Sequence, residues 1–202
     1  MKLVILDYGI GNLRSVQKAF EKAGVAASLS SDLQQIAEAD RLVLPGVGAF
    51  SDCMEKFTAA GMREPVLRHL QQDKPFLGIC VGMQMLFTRS HENGLHDGLK
   101  VLAGEVVRFP QREGYKVPHM GWNQVRAVNQ NPFWIHLKQP AWFYFVHSYY
   151  CVPGDASVVA LEADYPEPFC AAVQRGRMLA TQFHPEKSQQ AGLALIKQFV
   201  EM

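Results

Sequence analysis

The chain has 202 residues, of which 48% are hydrophobic and 19% charged, and its net charge at pH 7 is +1. This length and composition are typical of a globular protein with a full core, so we expect a single domain over residues 1–202. The small net charge gives no electrostatic reason to expect binding to nucleic acid or to a membrane surface. No apolar run approaches the ~18 residues that a membrane-spanning helix needs.

Cysteine and histidine usage argues against several classes of protein. Four cysteines stand at positions 53, 80, 151 and 170, and their spacing suits neither a disulfide framework nor a zinc site. The seven histidines lack the paired spacing that metal sites use. We therefore expect a cytoplasmic protein with reduced thiols and no metal.

The first half of the chain alternates predicted strands and helices. Apolar runs typical of buried strands begin at Lys2, Ala26, Arg41 and Phe76, and helical patterns lie between them. This β-α-β-α order predicts an α/β fold with a mostly parallel open sheet and helices on both faces. Ligands bind at the carboxyl ends of such strands, where three glycine-bearing loops fall, at 7–12, 45–48 and 78–82.

The second half is rich in predicted strands, which we expect to extend the parallel core as mixed or antiparallel strands. They span residues 99–109, 121–128, 141–150 and 157–161, with a hairpin over 173–182 that turns at Arg175-Gly176. A closing amphipathic helix runs from Gln189 to about Val200.

A nucleophile-elbow pattern ends the fourth predicted strand. Gly78 and Gly82 stand two residues on either side of Cys80, and residues 82–88 have the pattern of a helix that begins there. A sharp strand-to-helix turn brings backbones too close for a Cβ atom, which explains the glycines. The alternative is a buried structural cysteine, the usual state of a free cysteine. The symmetric glycines favour a nucleophile.

His184 and Glu186 are the best candidates for the base that such a nucleophile needs and for the group that holds this base. In an extended segment, residues i and i+2 point to the same side, so both side chains can face one site. The proposed triad is Cys80, His184 and Glu186, in which the carboxylate fixes the imidazole tautomer. His184 or Glu186 alone would be interpreted as an ordinary surface side chain.

The pattern Gly78-Ile-Cys-Val-Gly-Met-Gln84, followed about a hundred residues later by His184-Pro-Glu186, resembles the class I, or triad, glutamine amidotransferases. The resemblance covers essentially the whole chain and implies the flavodoxin-like fold of that family. It is strongest to a branch of glutaminase subunits that supply ammonia to a separate cyclase subunit in histidine biosynthesis. The motifs shared with this branch are Asp7-Tyr-Gly-Ile-Gly-Asn-Leu13, Pro45-Gly-Val-Gly-Ala-Phe50, His119-Met-Gly-Trp-Asn123 and Phe145-Val-His-Ser-Tyr149.

The resemblance implies a reaction and a role for each triad member. Cys80 would attack the side-chain amide of L-glutamine and form a glutamyl thioester, while His184 protonates the departing ammonia and then activates water. The N–H of Val81 and a donor from the loop Gly46-Val47-Gly48 would hold the oxyanion. A peptide between two glycines flips at low steric cost, so this donor is able to switch. No cofactor is implied.

The resemblance also implies binding residues. Substrate contacts are expected from Gln84, Glu92, Ser148 and Tyr149. The partner would be the cyclase subunit of a heterodimer, which has the (β/α)8 barrel fold, and contacts with it are expected from Asn12, Trp122 and Lys187. For Gln84 and Glu92 the alternative is an ordinary helix or loop surface, and for Trp122 a core position.

Other functions stay open from the sequence alone. They are another class I amidotransferase, a cysteine hydrolase of similar fold, a pyridoxal-phosphate-type glutaminase and a non-catalytic regulatory module. The combination of Gln84 with His184-Pro-Glu186 argues against a hydrolase of peptides or γ-glutamyl conjugates. The motifs around Asp7 and Trp122 favour the histidine pathway over the pyridoxal-phosphate pathway. The intact triad argues against a module that has lost catalysis.

Overall fold

The computed structural model describes residues 1–128, 132–135 and 141–202. The strands are β1 Leu3–Leu6, β2 Ala27–Ser30, β3 Arg41–Gly46, β4 Phe76–Cys80, β5 Phe87–Ser90, β6 His96–Asp97, β7 Leu102–Arg108, β8 His119–Ala127, β9 Ala141–His147, β10 Tyr149–Pro153, β11 Val159–Asp164, β12 Pro168–Arg175 and β13 Met178–Thr181. The helices are α1 Leu13–Lys22, α2 Leu33–Ala37, α3 Phe50–Ala59, α4 Arg63–Gln71, α5 Val81–Gln84, α6 Pro132–Ile135 and α7 Gln189–Glu201. Single turns of 3-10 helix lie at Ala156–Val158 and Pro185–Lys187.

Five parallel strands form the centre of the sheet, in the order β2-β1-β3-β4-β13. Strands β1, β4 and β13 are buried at every residue, as expected for apolar strands covered on both faces. In the register of β3 against β4, Gly46 lies opposite Cys80. The sheet therefore places the loop after β3 next to the predicted nucleophile.

The sheet continues beyond β13 through β12, β10, β7, β5 and β6. All of these neighbours are antiparallel except β5 and β7, which are parallel. A branch leaves β12 through β11 to β8, and β8 pairs with β9. The predicted α/β class, with a parallel core extended by mixed strands, is confirmed.

Amphipathic helices cover the sheet. The buried residues of α1 are Val16 and Phe20, and the Phe20 ring meets Phe199 of α7 edge-on at 6.2 Å between centroids. Helix α2 begins at Asp32, whose side chain accepts hydrogen bonds from the N–H groups of Gln34 and Gln35. Asp32 therefore caps the first turn of α2.

Two predicted elements were wrong. The helix after Cys80 ends at Gln84, and residues from Phe87 onward form β5 instead of continuing it. A short apolar run suits a helix or a strand equally well, and here pairing with β7 decides. The predicted strand over 141–150 is interrupted at Ser148, because β9 pairs with β8 whereas β10 pairs with β12 and β7.

Candidate active site

Cys80 occupies a strained elbow between β4 and α5. Its backbone has φ 55° and ψ −113°, a conformation that residues with a Cβ rarely adopt. A Cβ at Gly82 would lie 1.9 Å from the Leu44 carbonyl oxygen, and one at Gly78 would lie 2.9 Å from the Gly82 carbonyl oxygen. The prediction that close backbone approach requires both glycines is confirmed.

His184 and Glu186 lie against each other at the carboxyl end of β13. The Nδ1 atom of His184 is 2.8 Å from Oε1 of Glu186, and both side chains are buried. The segment is extended only as far as His184, however, since Glu186 lies in a 3-10 turn and not in the extended segment that the sequence predicted. The turn is pinned by Ser188, whose hydroxyl donates to the His184 carbonyl at 2.6 Å.

The surroundings of His184 favour its protonated form. Burial alone would lower the pKa of the imidazole, but the interactions with Cys80 and with Glu186 outweigh it and raise the pKa to about 10. Within the described part of the chain, Nε2 of His184 makes no hydrogen bond of ordinary geometry. That atom is therefore available to exchange a proton with a group bound at Cys80.

The loop after β3 runs along one side of the elbow. A Cβ at Gly46 would lie 2.7 Å from the N atom of Gly82, so the two turns are in backbone contact. The Cys53 thiol donates to the Val47 carbonyl, with 3.4 Å between sulfur and oxygen. Because the C=O and N–H of a trans peptide point in opposite directions, this bond turns the Gly48 N–H away from Cys53.

A cavity of about 380 Å³ opens at the carboxyl ends of β3, β4 and β13. Its lining includes Cys80 and His184 of the predicted triad, and Val47, Gly48 and Val81 of the predicted oxyanion site. Glu186 does not line the cavity, but it contacts His184, which does. Gly46 of the predicted oxyanion loop does not line the cavity either. The four predicted substrate residues also line it, namely Gln84, Glu92, Ser148 and Tyr149.

Two of the predicted substrate residues have protein partners. One carboxylate oxygen of Glu92 accepts the Phe50 N–H at 2.8 Å and so caps the first turn of α3. The amide nitrogen of Gln84 donates to the Tyr149 carbonyl oxygen at 3.1 Å. Both side chains therefore help to hold the cavity wall.

The predicted interface residues lie around the mouth of the cavity. Asn12 and Lys187 line it, whereas Trp122 does not. The Trp122 side chain is 44% exposed and meets the Tyr144 ring edge-on, with 6.2 Å between centroids. The ammonium of Lys187 lies 5.8 Å from the centroid of the same Tyr144 ring. One aromatic ring thus connects the cavity mouth to the exposed tryptophan.

Sequence reasoning missed two groups at this site. Gln182 is fully buried, and its amide nitrogen lies 3.7 Å from the Cys80 sulfur. His147 lines the cavity and donates through Nδ1 to the Tyr149 carbonyl oxygen at 2.8 Å. The i, i+2 rule that paired His184 with Glu186 applies equally to Gln182 and His184, so the signal for Gln182 was present in the sequence.

Among the described residues, no cluster of His, Cys, Asp and Glu side chains has the arrangement of a metal site. Likewise, none of the helices described has the length and apolar character needed to cross a membrane.

Comparison with known proteins agrees with this geometry. Residues 4–202 match the family model for glutamine amidotransferase class-I. The imidazole glycerol phosphate synthase subunit HisH of Syntrophotalea carbinolica is 58% identical, over 99% of this chain and 100% of its own length. The HisH subunit of Aquifex aeolicus is 47% identical, over 98% of this chain and 96% of its own length.

Solved structures show the same fold at much lower identity. The PurLQS structure from Thermotoga maritima has a TM-score of 0.74 at 16% identity and covers 99% of this chain and 97% of its own. A crystal structure of a glutamine amidotransferase has a TM-score of 0.73 at 18% identity, over 98% and 97% of the two chains.

Proposed function

Because the chain belongs to the class-I glutamine amidotransferase family, we propose that it is the glutaminase subunit of imidazole glycerol phosphate synthase. In this role it hydrolyses L-glutamine to glutamate and ammonia for histidine biosynthesis. The single observation that carries the proposal is the elbow cysteine beside a buried His184–Glu186 pair at the end of a cavity. The high identity to HisH subunits over nearly the full length supports the choice of pathway.

In the proposed mechanism, the Cys80 sulfur attacks the side-chain amide carbon of glutamine. The C–S bond forms while the carbonyl π electrons move to oxygen, which gives a tetrahedral oxyanion. Nε2 of His184 then passes its proton to the amide nitrogen, the C–N bond breaks, and ammonia leaves a glutamyl thioester. Next, His184 takes a proton from water, whose oxygen attacks the thioester carbonyl carbon. The C–S bond then breaks, its electron pair returns to the Cys80 sulfur, and glutamate is released. Glu186 holds the imidazole through Nδ1 in both steps.

The oxyanion is assigned to the cavity wall formed by Val81 and the loop of Val47 and Gly48. The Cys53 thiol bonds to the Val47 carbonyl and so fixes the orientation of the Val47–Gly48 peptide. We infer that the preceding peptide, Gly46–Val47, is the part of this loop that switches its N–H toward the substrate. Gln84 and Glu92 are assigned to the α-amino and α-carboxyl groups of glutamine, and Ser148 and Tyr149 to the wall of the same pocket.

The partner is proposed to be a cyclase subunit with a (β/α)8 barrel, which forms a heterodimer with this chain. Asn12 and Lys187 at the cavity mouth, together with Trp122, would contact it. Near Trp122, the side chains of Met120 and Trp142 on the same β8–β9 ribbon are 62% and 49% exposed. Exposed apolar side chains clustered in this way are typical of a protein interface. We place the complex in the cytoplasm, where reduced thiols persist.

The proposal is tested by measuring glutamate release from glutamine while the purified chain is titrated with the cyclase and the cyclase's nucleotide substrate. We expect low turnover by the chain alone and a rise of at least ~10-fold on saturation, because the partner selects the competent loop conformation. Full turnover without partner would contradict the switching loop. No glutamate release from a complex that does form would contradict the glutaminase function itself.

A further inference from the structure

The Cys80 sulfur has a second polar neighbour besides the triad histidine. The amide nitrogen of Gln182 lies 3.7 Å from this sulfur, within hydrogen-bonding range of a thiol or thiolate. Gln182 has no exposed surface, and its backbone N–H donates to the Ala171 carbonyl oxygen at 2.8 Å. A rigid strand end therefore presents this amide to the sulfur.

The hydrogen-bond network determines which end of the Gln182 amide faces the sulfur. The Tyr149 carbonyl oxygen can only accept, so the atom of Gln84 that lies 3.1 Å from it must be the amide nitrogen. The same nitrogen lies 3.1 Å from Gln182, and it uses its second hydrogen there. The Gln182 atom in that contact must then be its oxygen, which leaves the Gln182 NH2 group directed at Cys80.

We propose that Gln182 is a further catalytic residue, whose amide N–H donates to the Cys80 sulfur, and that Gln84 is the positioning residue that keeps this amide in its donating orientation. The inference rests on the proposed role of Cys80 as the nucleophile. The donor stabilises negative charge on the sulfur and, together with His184, restricts the side-chain rotamer of Cys80. The sulfur then faces the cavity, where the amide carbon of the substrate binds.

This role differs from ordinary packing. A buried glutamine whose only task was to fill space would be replaceable by methionine, which is unbranched and similar in length. In the observed network, the Gln84 amide instead donates one hydrogen to the Tyr149 carbonyl oxygen and the other to the side-chain oxygen of Gln182. The network also links the Cys80 sulfur, through Gln182 and Gln84, to Tyr149 in the cavity wall. A substrate that contacts this wall can therefore affect the position of the sulfur.

The test measures the rate at which iodoacetamide alkylates Cys80 in the full chain, without glutamine, and then kcat and KM for glutamine in the cyclase complex. Gln182→Met removes the donor and avoids a buried charge. We expect both the alkylation rate and kcat to fall about 10- to 100-fold, the value of a hydrogen bond to a charged group, with KM changed less than ~3-fold. Gln182→Glu keeps an acceptor for Gln84 but places a carboxylate oxygen at the sulfur, so its losses should be larger.

Two further variants separate the roles. Gln84→Met leaves the Gln182 amide free to turn, so alkylation should slow by less than in Gln182→Met. Gln190→Glu makes the same change of charge on an exposed residue and should alter neither rate. Circular dichroism and thermal unfolding show that each variant is folded, and Gln182→Met carries the test if Gln182→Glu does not fold.

The outcomes distinguish this inference from the function on which it rests. If wild-type Cys80 is alkylated no faster than the other cysteines, its role as the nucleophile fails. If wild-type Cys80 is reactive but a folded Gln182→Met variant keeps its alkylation rate and kcat within ~2-fold, the donor role of Gln182 is overturned. An unchanged alkylation rate in Gln84→Met would overturn the orienting role of Gln84.

Discussion

At the scale of single residues, the site depends on how a buried imidazole is kept protonated. The pKa of His184 is raised to about 10 even though burial opposes the charge, because Cys80 and Glu186 both stabilise it. A raised pKa means that the imidazolium persists through neutral pH and is lost only as the pH rises toward 10. In the proposed mechanism, the proton needed by the departing ammonia is thus in place before the substrate binds.

Replacing His184 by Ala should lower kcat/KM by about 10⁴-fold or more, because the proton carrier is lost. Glu186→Gln keeps the shape and an acceptor for Nδ1 but removes the negative charge, so its loss should be at least ~10-fold smaller. The alkaline limb of the pH profile should also move to lower pH in Glu186→Gln, because one cause of the raised pKa is gone. Steady-state glutamate release from pH 6 to 11 in the cyclase complex measures both effects.

A Glu186→Gln enzyme as inactive as His184→Ala would contradict a purely orienting role for the carboxylate. An unmoved alkaline limb would mean that the limb does not report on His184.

At the scale of elements, the elbow exists because β3, β4 and α5 approach at glycine positions. Gly82→Ala should destabilise the fold by about 3 kcal/mol or more, since its Cβ would lie 1.9 Å from the Leu44 carbonyl oxygen and the backbones must separate. In Gly154→Ala, the matched control, the nearest atom to the new Cβ is 3.4 Å away. Urea unfolding of both variants measures the difference, and equal free energies of unfolding would contradict the close-approach account.

The β8–β9 ribbon carries a buried histidine pair, from which we expect the stability of the fold to depend on acid pH. Nδ1 of His119 lies 3.0 Å from Nε2 of His147, whose own Nδ1 donates to the Tyr149 carbonyl oxygen. The carbonyl requires a hydrogen on Nδ1 of His147, so in the neutral pair Nε2 of His147 accepts from Nδ1 of His119. Burial lowers the pKa of His119 to about 4 and that of His147 to about 3.

Because an unfolded histidine titrates near 6.5, the unfolded chain binds protons below that pH while the folded pair does not. The contribution of this pair to stability should therefore be constant above pH ~7 and should fall between pH 6.5 and 4, by about 2 kcal/mol per histidine at pH 5. His119→Phe keeps a flat ring next to Phe145 and Tyr165 and should remove about half of this loss. Urea unfolding at pH 7.5 and pH 5 is the measurement, and the same pH dependence in wild type and variant would contradict it.

The elements that the sequence predicted well are those specified by local patterns. Apolar runs located the parallel strands β1 to β4, and the hairpin predicted over 173–182 contains β13. The prediction of a helix over residues 82–88 was wrong beyond Gln84. Phe87 instead pairs with β7, which is distant in sequence, and this pairing makes it part of strand β5. The proposed triad was predicted from motif and spacing. Spacing could also place Gln182 on the same side as His184, but the contact of Gln182 with Cys80 and that of His147 with the Tyr149 carbonyl oxygen are seen only in the structure.

At the scale of the whole molecule, the cavity and the exposed face of the β8–β9 ribbon lie side by side. Lys187 lines the cavity and lies over the Tyr144 ring, and Trp122 meets the same ring from the exposed side. A partner that covers Trp122 would therefore lie beside the mouth of the cavity, which we propose as the exit for ammonia. Ammonia in bulk water is largely protonated and loses its nucleophilic lone pair, so a covered exit suits a biosynthetic glutaminase.

The central claim is that this chain supplies ammonia and takes no part in cyclase chemistry. It is tested most directly by imidazole glycerol phosphate formation in a complex that carries Cys80→Ala, first with glutamine and then with ammonium salts at high pH. We expect the glutamine-dependent reaction to be lost and the ammonium-dependent reaction to stay within about 2-fold of wild type, because only the nucleophile has been removed. Equal loss of both reactions in an intact complex would contradict the claim.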